Sequence, residues 1–175
     1  MAAAKHRAPP PGGRKTGAAA PDQTRSAHGA MAAVDHVDTG YLETLVGYNA
    51  RRAALAVISV FLQRMAPYGL RPVEFSTLSL VHHNPGVTAR QLCQALGMQP
   101  PNMVGTINQF VQRGLVERRP HPRDGRAQGL HLTASGLDLM QEVEPKVAQF
   151  EAEAAQRLSQ AEREQLMALL QKIYR

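Results

Sequence analysis

At 175 residues, 43% of them hydrophobic, the chain can bury one respectable core and is expected to form one folded domain. A formal net charge of +6 and a pI near 10.0 favour a polyanionic partner, nucleic acid ahead of a membrane surface. The single cysteine, Cys93, excludes an intramolecular disulfide and a thiolate zinc cage, and it fits a reducing cytoplasm.

Residues 1–38 are rich in Ala, Pro, Gly and scattered Lys and Arg, with almost no large apolar side chain to offset the entropy of ordering. They are expected to be a disordered basic tail, with Met31 as an alternative start. The basic N-terminus leads into prolines and not into an apolar stretch. The longest apolar run, residues 53–62, is about half of what a bilayer span requires, so neither a signal peptide nor a transmembrane segment is expected.

Helical periodicity begins at Tyr41. Leu42, Leu45, Val46, Leu55, Ile58, Phe61, Leu62 and Met65 recur at three- and four-residue spacing and predict one helix over 41–65, stopped by Pro67 and Gly69. A second helix over 73–83 turns Phe75, Leu78 and Val81 inward and ends at Asn84-Pro85-Gly86. A third over 88–96 is capped by Thr88, ended by Gly97, and expected to bury Leu92, Ala95 and Leu96. Cys93 lies on it with no basic neighbour, which reads as a small packing residue and not a redox sensor.

Gln99-Pro100-Pro101-Asn102 opens a fourth helix, because proline is tolerated in a first turn. The expected inward stripe is Val104, Ile107, Phe110 and Val111. That leaves Asn102, Thr106, Gln109 and Arg113 on one polar outward face. Gly105 weakens a helix by about 1 kcal/mol relative to Ala, which points to close approach by a neighbouring helix or a DNA strand.

Two strands follow, residues 115–119 and 130–133, with Leu115, Leu130 and Leu132 available to the core. Between them His121-Pro122-Arg123-Asp124-Gly125-Arg126 reads as an Asp-Gly turn tipped with arginine, which must face water or a polyanion. Thr133 caps a fifth helix carrying Leu137, Met140, Val143, Val147, Phe150 and Ala154, with Pro145 expected to bend it. Ser159 and Glu162 form a capping box for a sixth helix expected to bury Leu166, Leu169, Leu170 and Ile173.

The result is a mainly α fold with a small β-hairpin wing: a winged helix-turn-helix over about 70–134, flanked by helices over about 41–66 and 134–174, within a domain spanning 39–175. A helix that can enter a major groove beside an arginine-tipped hairpin suits duplex DNA. The long flanking helices carry more apolar surface than such a module can cover, so a homodimer is expected, with half-sites about 34–36 Å apart in a pseudo-palindromic operator.

The run LGMQPPNMVGTINQFVQRGLVERRPHPRDGRAQGLHLTASG closely resembles the DNA-binding core of the MarR family of bacterial transcriptional regulators. The motifs that carry the likeness are Gly114 to Val116, Arg123-Asp124-x-Arg126 and Leu132-Thr133-x-x-Gly136; the likeness extends over residues 41–174. The resemblance implies that Arg126 enters the minor groove, that Asp124 braces the wing, and that Arg123 shares that loop. It also places Pro101, Asn102, Thr106 and Gln109 where the recognition helix meets bases and phosphates. Asn and Gln can each pair with adenine and Thr offers a hydroxyl and a methyl group.

Many relatives carry Ser or Thr where Pro101 and Asn102 stand, and often Arg where Gly105 stands, so the base preference stays open. Thr88, Arg90 and Gln91, at the start of the third helix, are phosphate anchors on one reading and ordinary caps on the other. The family often holds an aromatic or phenolic acid, for which Tyr48, Arg51, Arg52, His82 and His83 are the candidate pocket residues. Adjacent His82 and His83 are expected to point apart, which argues against zinc.

No nucleophile elbow, phosphate-cradling glycine loop, metal-ligand spacing or acidic pair marks an enzyme, and no metal or other cofactor is expected. The competing reading is a winged-helix module that binds protein or RNA without operator specificity.

Overall fold

The computed structural model describes residues 35–121 and 124–175; the side chains of residues 121–126 lie outside that description. The expected tail therefore falls outside the described residues except for its last stretch, residues 35–38. Residues Thr39–Arg175 form one compact unit.

Among the described residues, seven helices, a short 3-10 turn and a hairpin follow in the order α1 (Gly40–Glu43), α2 (Val46–Met65), η1 (Ala66–Tyr68), α3 (Pro72–His83), α4 (Ala89–Leu96), α5 (Pro100–Gln112), β1 (Val116–His121), β2 (Asp124–Leu132), α6 (Ala134–Ala154) and α7 (Gln160–Tyr174). The single helix expected over 41–65 is broken at Thr44 and Leu45. Local side-chain bonds compete with the helical ladder there. Thr44 Oγ1 donates to the Tyr41 carbonyl at 2.8 Å, and Asn49 Nδ2 donates to the carbonyls of Glu43 at 2.7 Å and Leu45 at 2.9 Å.

The core lies among α2, α3, α4, α5, the hairpin and α6. Leu78, Leu92, Met103, Met140 and Val143 are fully buried. Phe61 meets Phe75 and Phe150 at ring-centroid distances of 5.8 and 5.7 Å, locking the C-terminal half of α2 onto α3 and α6. Leu96 is only partly buried and Ala95 is exposed, because α4 is short and turns a single leucine, Leu92, fully inward. Cys93 is partly buried against the core, as its packing role requires.

The hairpin is antiparallel, pairing Val116 with Leu132 through Pro120 with Gln128. The register then shifts between Pro120 and His121, where proline has no N–H to give the ladder. A third edge is supplied by Val87, whose carbonyl accepts from Leu130 N at 2.9 Å while Gly86 N donates to the Leu130 carbonyl at 2.8 Å. Backbones touch closely here: a Cβ on Gly129 would sit 2.9 Å from the Gly86 oxygen.

Gly136 is under tighter constraint, since a Cβ there would lie 2.1 Å from the Leu115 carbonyl oxygen. Thr133 closes the same junction. Its hydroxyl donates to the Gly114 carbonyl at 2.6 Å and accepts from Gly136 N at 3.1 Å, capping α6. Helix α6 runs continuously through Pro145.

Helix α7 begins at the expected box, in which Ser159 N donates to Glu162 Oε2 at 2.8 Å. That bond and the Ser159 hydroxyl hold the Glu162 carboxyl below its usual range. The burial expected on α7 does not occur within the chain. Leu166, Leu169, Leu170 and Ile173 are all exposed, and α1 likewise contributes no buried residue. Among the described residues no single helix is long and apolar enough to cross a membrane.

Candidate nucleic-acid interface

Helices α4 and α5 pack on one another and both meet the hairpin, and the three elements wall an open cleft of about 570 Å³. Into its lining come Thr88, Arg90 and Gln91 from α4, Val104 from α5, and Arg118 and Gln128 from the strands. Two cations from different elements thus face one groove.

Within α5 the sequence stripe is rotated. Met103, Ile107 and Phe110 are buried, whereas Val104 is 46% exposed and Val111 36%. Residues 103 and 104 are both apolar and only about 100° apart on a helix, so spacing alone cannot choose between them. The choice falls to Met103, whose long unbranched side chain reaches into the core. Val104 consequently joins the exposed face, with Pro101, Asn102 and Gln109 exposed and Thr106 half-buried beside it.

The start of α5 offers little to a phosphate through its backbone. Pro100 and Pro101 have no N–H, and the N–H groups of Asn102 and Met103 both donate to the Gln99 carbonyl, at 3.1 and 3.2 Å. Contacts from this end must come from side chains. Thr106 Oγ1 donates to the Asn102 carbonyl at 3.1 Å, leaving its lone pairs and methyl group. A Cβ placed on Gly105 meets nothing within 4 Å beyond its own helix turn, so no neighbouring element among the described residues accounts for that glycine.

Arg113, exposed as expected on the outward face, is also a brace. Its guanidinium donates to the carbonyls of Gly69 at 3.3 Å and Tyr68 at 3.1 Å, tying the end of α5 to the turn after α2. Arg118, which sequence reasoning missed, donates to Asn108 Oδ1 at 2.5 Å and so fixes β1 against the exposed side of α5. Nothing in strand periodicity separates it from Arg119, which pairs with Glu117.

Thr88 and Gln91 form a capping box. Thr88 Oγ1 accepts from Gln91 N at 3.4 Å, and Gln91 Oε1 accepts from Thr88 N and Oγ1, both at 2.9 Å. Both side chains are engaged in capping, while Arg90 stays exposed over the cleft. At the wing the expected loop over 121–126 is mostly strand: His121 pairs with Asp124, and β2 already includes Gly125 and Arg126. Asp124 and Gly125 thus belong to β2. Pro122 and Arg123 lie outside the described residues, as do the side chains of Asp124 and Arg126.

The candidate ligand residues separate into two groups. Tyr48, Arg51 and Arg52 lie near the start of α2, half-buried or exposed, and among the described residues no hydrogen bond, ion pair or ring contact joins them to His82 or His83. The histidines themselves converge, contrary to expectation. Ser79, His82 and His83 occupy positions i, i+3 and i+4 of α3, so the two imidazoles flank one line along the helix and both face Glu144 of α6. Partial burial pushes the Glu144 carboxyl up, but the Ser79 hydroxyl and the two histidines outweigh it and hold the group below the usual carboxylate range. Nearby, Lys146 and then the Tyr68 hydroxyl hold Glu142 low, and the same contacts raise Lys146.

The MarR family profile matches residues 68–127, which cover α3 to the hairpin. A relative from Thauera aromatica, described as a putative transcriptional regulatory protein for the hcr operon, is 30% identical over 131 residues, covering 74% of this chain and 79% of that protein. The chain belongs to the MarR family. It is a transcriptional regulator of that family by sequence, and the winged helix-turn-helix of the family is the fold described above. Among solved structures it is similar to the transcriptional repressor CouR bound to a 23-mer DNA duplex, with 32% identity over 80% of this chain and 99% of that one and a TM-score of 0.72. A mutant of the MarR protein of E. coli complexed with operator DNA shares the fold, with a TM-score of 0.70 at 21% identity over 79% of this chain and 100% of that one.

Proposed function

We propose that this MarR-family protein is a repressor that binds a pseudo-palindromic operator as a homodimer and lets go when a small aromatic ligand binds. The observation that carries the reading is the exposed polar face of α5 beside an arginine-bearing hairpin, in a chain 32% identical to a repressor solved on duplex DNA. Asn102 and Gln109 read base edges in the major groove, and Thr106 adds its methyl group and lone pairs. Pro101 sets the first turn of α5 against the DNA backbone. Arg126 enters the minor groove from β2, with Arg123 beside it and Asp124 bracing the tip. Arg90 meets phosphate, and the Thr88–Gln91 cap fixes the helix that carries it.

Dimerisation covers the apolar faces left open on α1, α2 and α7, and it sets two copies of α5 one helical turn apart. A ligand shifts the population toward dimers whose recognition helices are wrongly spaced. The same repressor is solved with p-coumaroyl-CoA, a phenolic acyl thioester, which supports an aromatic acid derivative as the ligand class. Tyr48, Arg51 and Arg52 on α2 are the residues offered to its ring and anionic groups. The protein acts in the cytoplasm and catalyses no reaction.

The test is a mobility-shift titration with DNA from upstream of the protein's own gene. A shifted complex that outlasts excess random duplex, weakens as salt rises, and dissociates on adding an aromatic acyl thioester is expected. A complex equally well displaced by random duplex would refute operator specificity.

A further inference from the structure

Where α3 ends against α6, three donor side chains share a small space. His83 Nε2 lies 3.0 Å from Glu144 Oε1, His82 Nδ1 lies 3.4 Å from Glu144 Oε2, and the three donor atoms all fall within 4.8 Å of one another. The two imidazole rings are 4.7 Å apart. His82 Nδ1 is buried and, although 3.4 Å from Glu144 Oε2, makes no well-directed hydrogen bond among the described residues. Such a nitrogen is costly to leave unpaired.

We propose that His82, His83 and Glu144 form a binding site for a divalent transition-metal ion of the zinc class, completed by water. Two imidazole nitrogens and one carboxylate oxygen are a borderline donor set, suited to zinc, cobalt or nickel and too nitrogen-rich for magnesium or calcium. Metal–ligand bonds of about 2.0–2.1 Å in a tetrahedron set the donor atoms about 3.4 Å apart, so the two observed histidine–carboxylate spacings are already close to what the ion requires. The orphaned Nδ1 gains its missing partner in the metal.

Ser79 supplies the outer support. Its hydroxyl donates to Glu144 Oε1 at 2.9 Å and so orients the carboxylate toward the histidines. The His83 side chain is 63% exposed, which opens a path for the ion and room for water, whereas those of His82 and Glu144 are 23% and 25% exposed. A bound ion would clamp the end of α3 to the middle of α6. The inference does not depend on the DNA-binding reading, because the site is made by one chain and can be read without DNA.

The test uses the full chain, stripped with chelator and titrated with Co²⁺ as a visible-absorbing probe, followed by displacement with Zn²⁺. One Co²⁺ per chain with ligand-field bands is expected, and His83→Ala or Glu144→Gln should each weaken it at least about tenfold. Cys93→Ser should leave it unchanged. Zn²⁺ should raise the melting temperature of the parent protein and not that of His83→Ala, a change at an exposed side chain that leaves the core intact. Absence of stoichiometric binding, or binding that survives either substitution at full strength, would overturn the site.

Discussion

Leu78 of α3 and Leu92 of α4 are sealed at 0% exposure, whereas Leu169 and Ile173 of α7, apolar residues at the same kind of helical spacing, stand 50% and 66% exposed. The winged lobe covers its own apolar stripes. The helices at the two ends of the described domain do not: Tyr41, Leu55 and Leu62 are open on α1 and α2, as is Leu45 between them, just as Leu166 and Leu170 are on α7. Periodicity reports that a helix has an apolar face, and only the tertiary arrangement reports whether this chain or a second copy covers it.

That contrast can be broken most violently at the lobe's tightest junction. Gly136→Ala would drive a methyl group into the Leu115 carbonyl, and a loss of about 3 kcal/mol or more is expected in denaturant unfolding. Full stability would mean that α6 can slide away from β1. Leu78→Ala should cost about 2–5 kcal/mol at any protein concentration, since the cavity lies inside one chain. Leu169→Ala should instead show its cost chiefly as a weaker dimer, with melting temperatures that diverge from the parent as the protein is diluted. Equal, concentration-independent losses from the two leucines would erase the distinction between core and interface.

Smaller effects sharpen it. Gly105→Ala should stabilise the DNA-free protein by up to about 1 kcal/mol, because the position is helical and, among the described residues, nothing beyond its own helix turn lies within 4 Å of the new methyl group. Destabilisation would reveal a contact from the partner subunit. The Glu144 carboxyl, held below its ordinary range in the fold, contributes stability above its unfolded value near 4.5 and loses it as pH falls through the lower folded value. In metal-free buffer Glu144→Gln should lose about 1 kcal/mol or less at neutral pH and converge with the parent in acid, which flattens the acid limb. An unaltered acid limb would detach Glu144 from the Ser79 and histidine contacts.

Much of this architecture is legible in the residues. Thr88, Thr133 and Ser159 each cap the helix they announce, Gly97 ends α4 with a left-handed φ of 62°, and the two prolines open α5. The misses have physical causes. Met103 and Val104 are adjacent apolar residues, and only packing selects the one turned inward. Asp124-Gly125 is a strong turn signal, yet the strand pairing reaches past it once the ladder has slipped at Pro120. His82 and His83 read as divergent because neighbours on a helix differ by about 100°; taken with Ser79, they straddle a shared face. The pairing of Arg118 with Asn108 joins a strand to a helix, a relation that no local pattern encodes.

The account rests on the claim that paired chains read duplex DNA through α5 and the wing. Fluorescence anisotropy of a labelled upstream duplex, titrated in parallel with the parent protein and with Arg126→Ala at two salt concentrations, tests it most directly. Binding that prefers this duplex over a scrambled one and falls with salt is predicted, with Arg126→Ala weaker by about tenfold or more at unchanged melting temperature. Indifference to sequence, or a variant that binds as tightly as the parent, would contradict it.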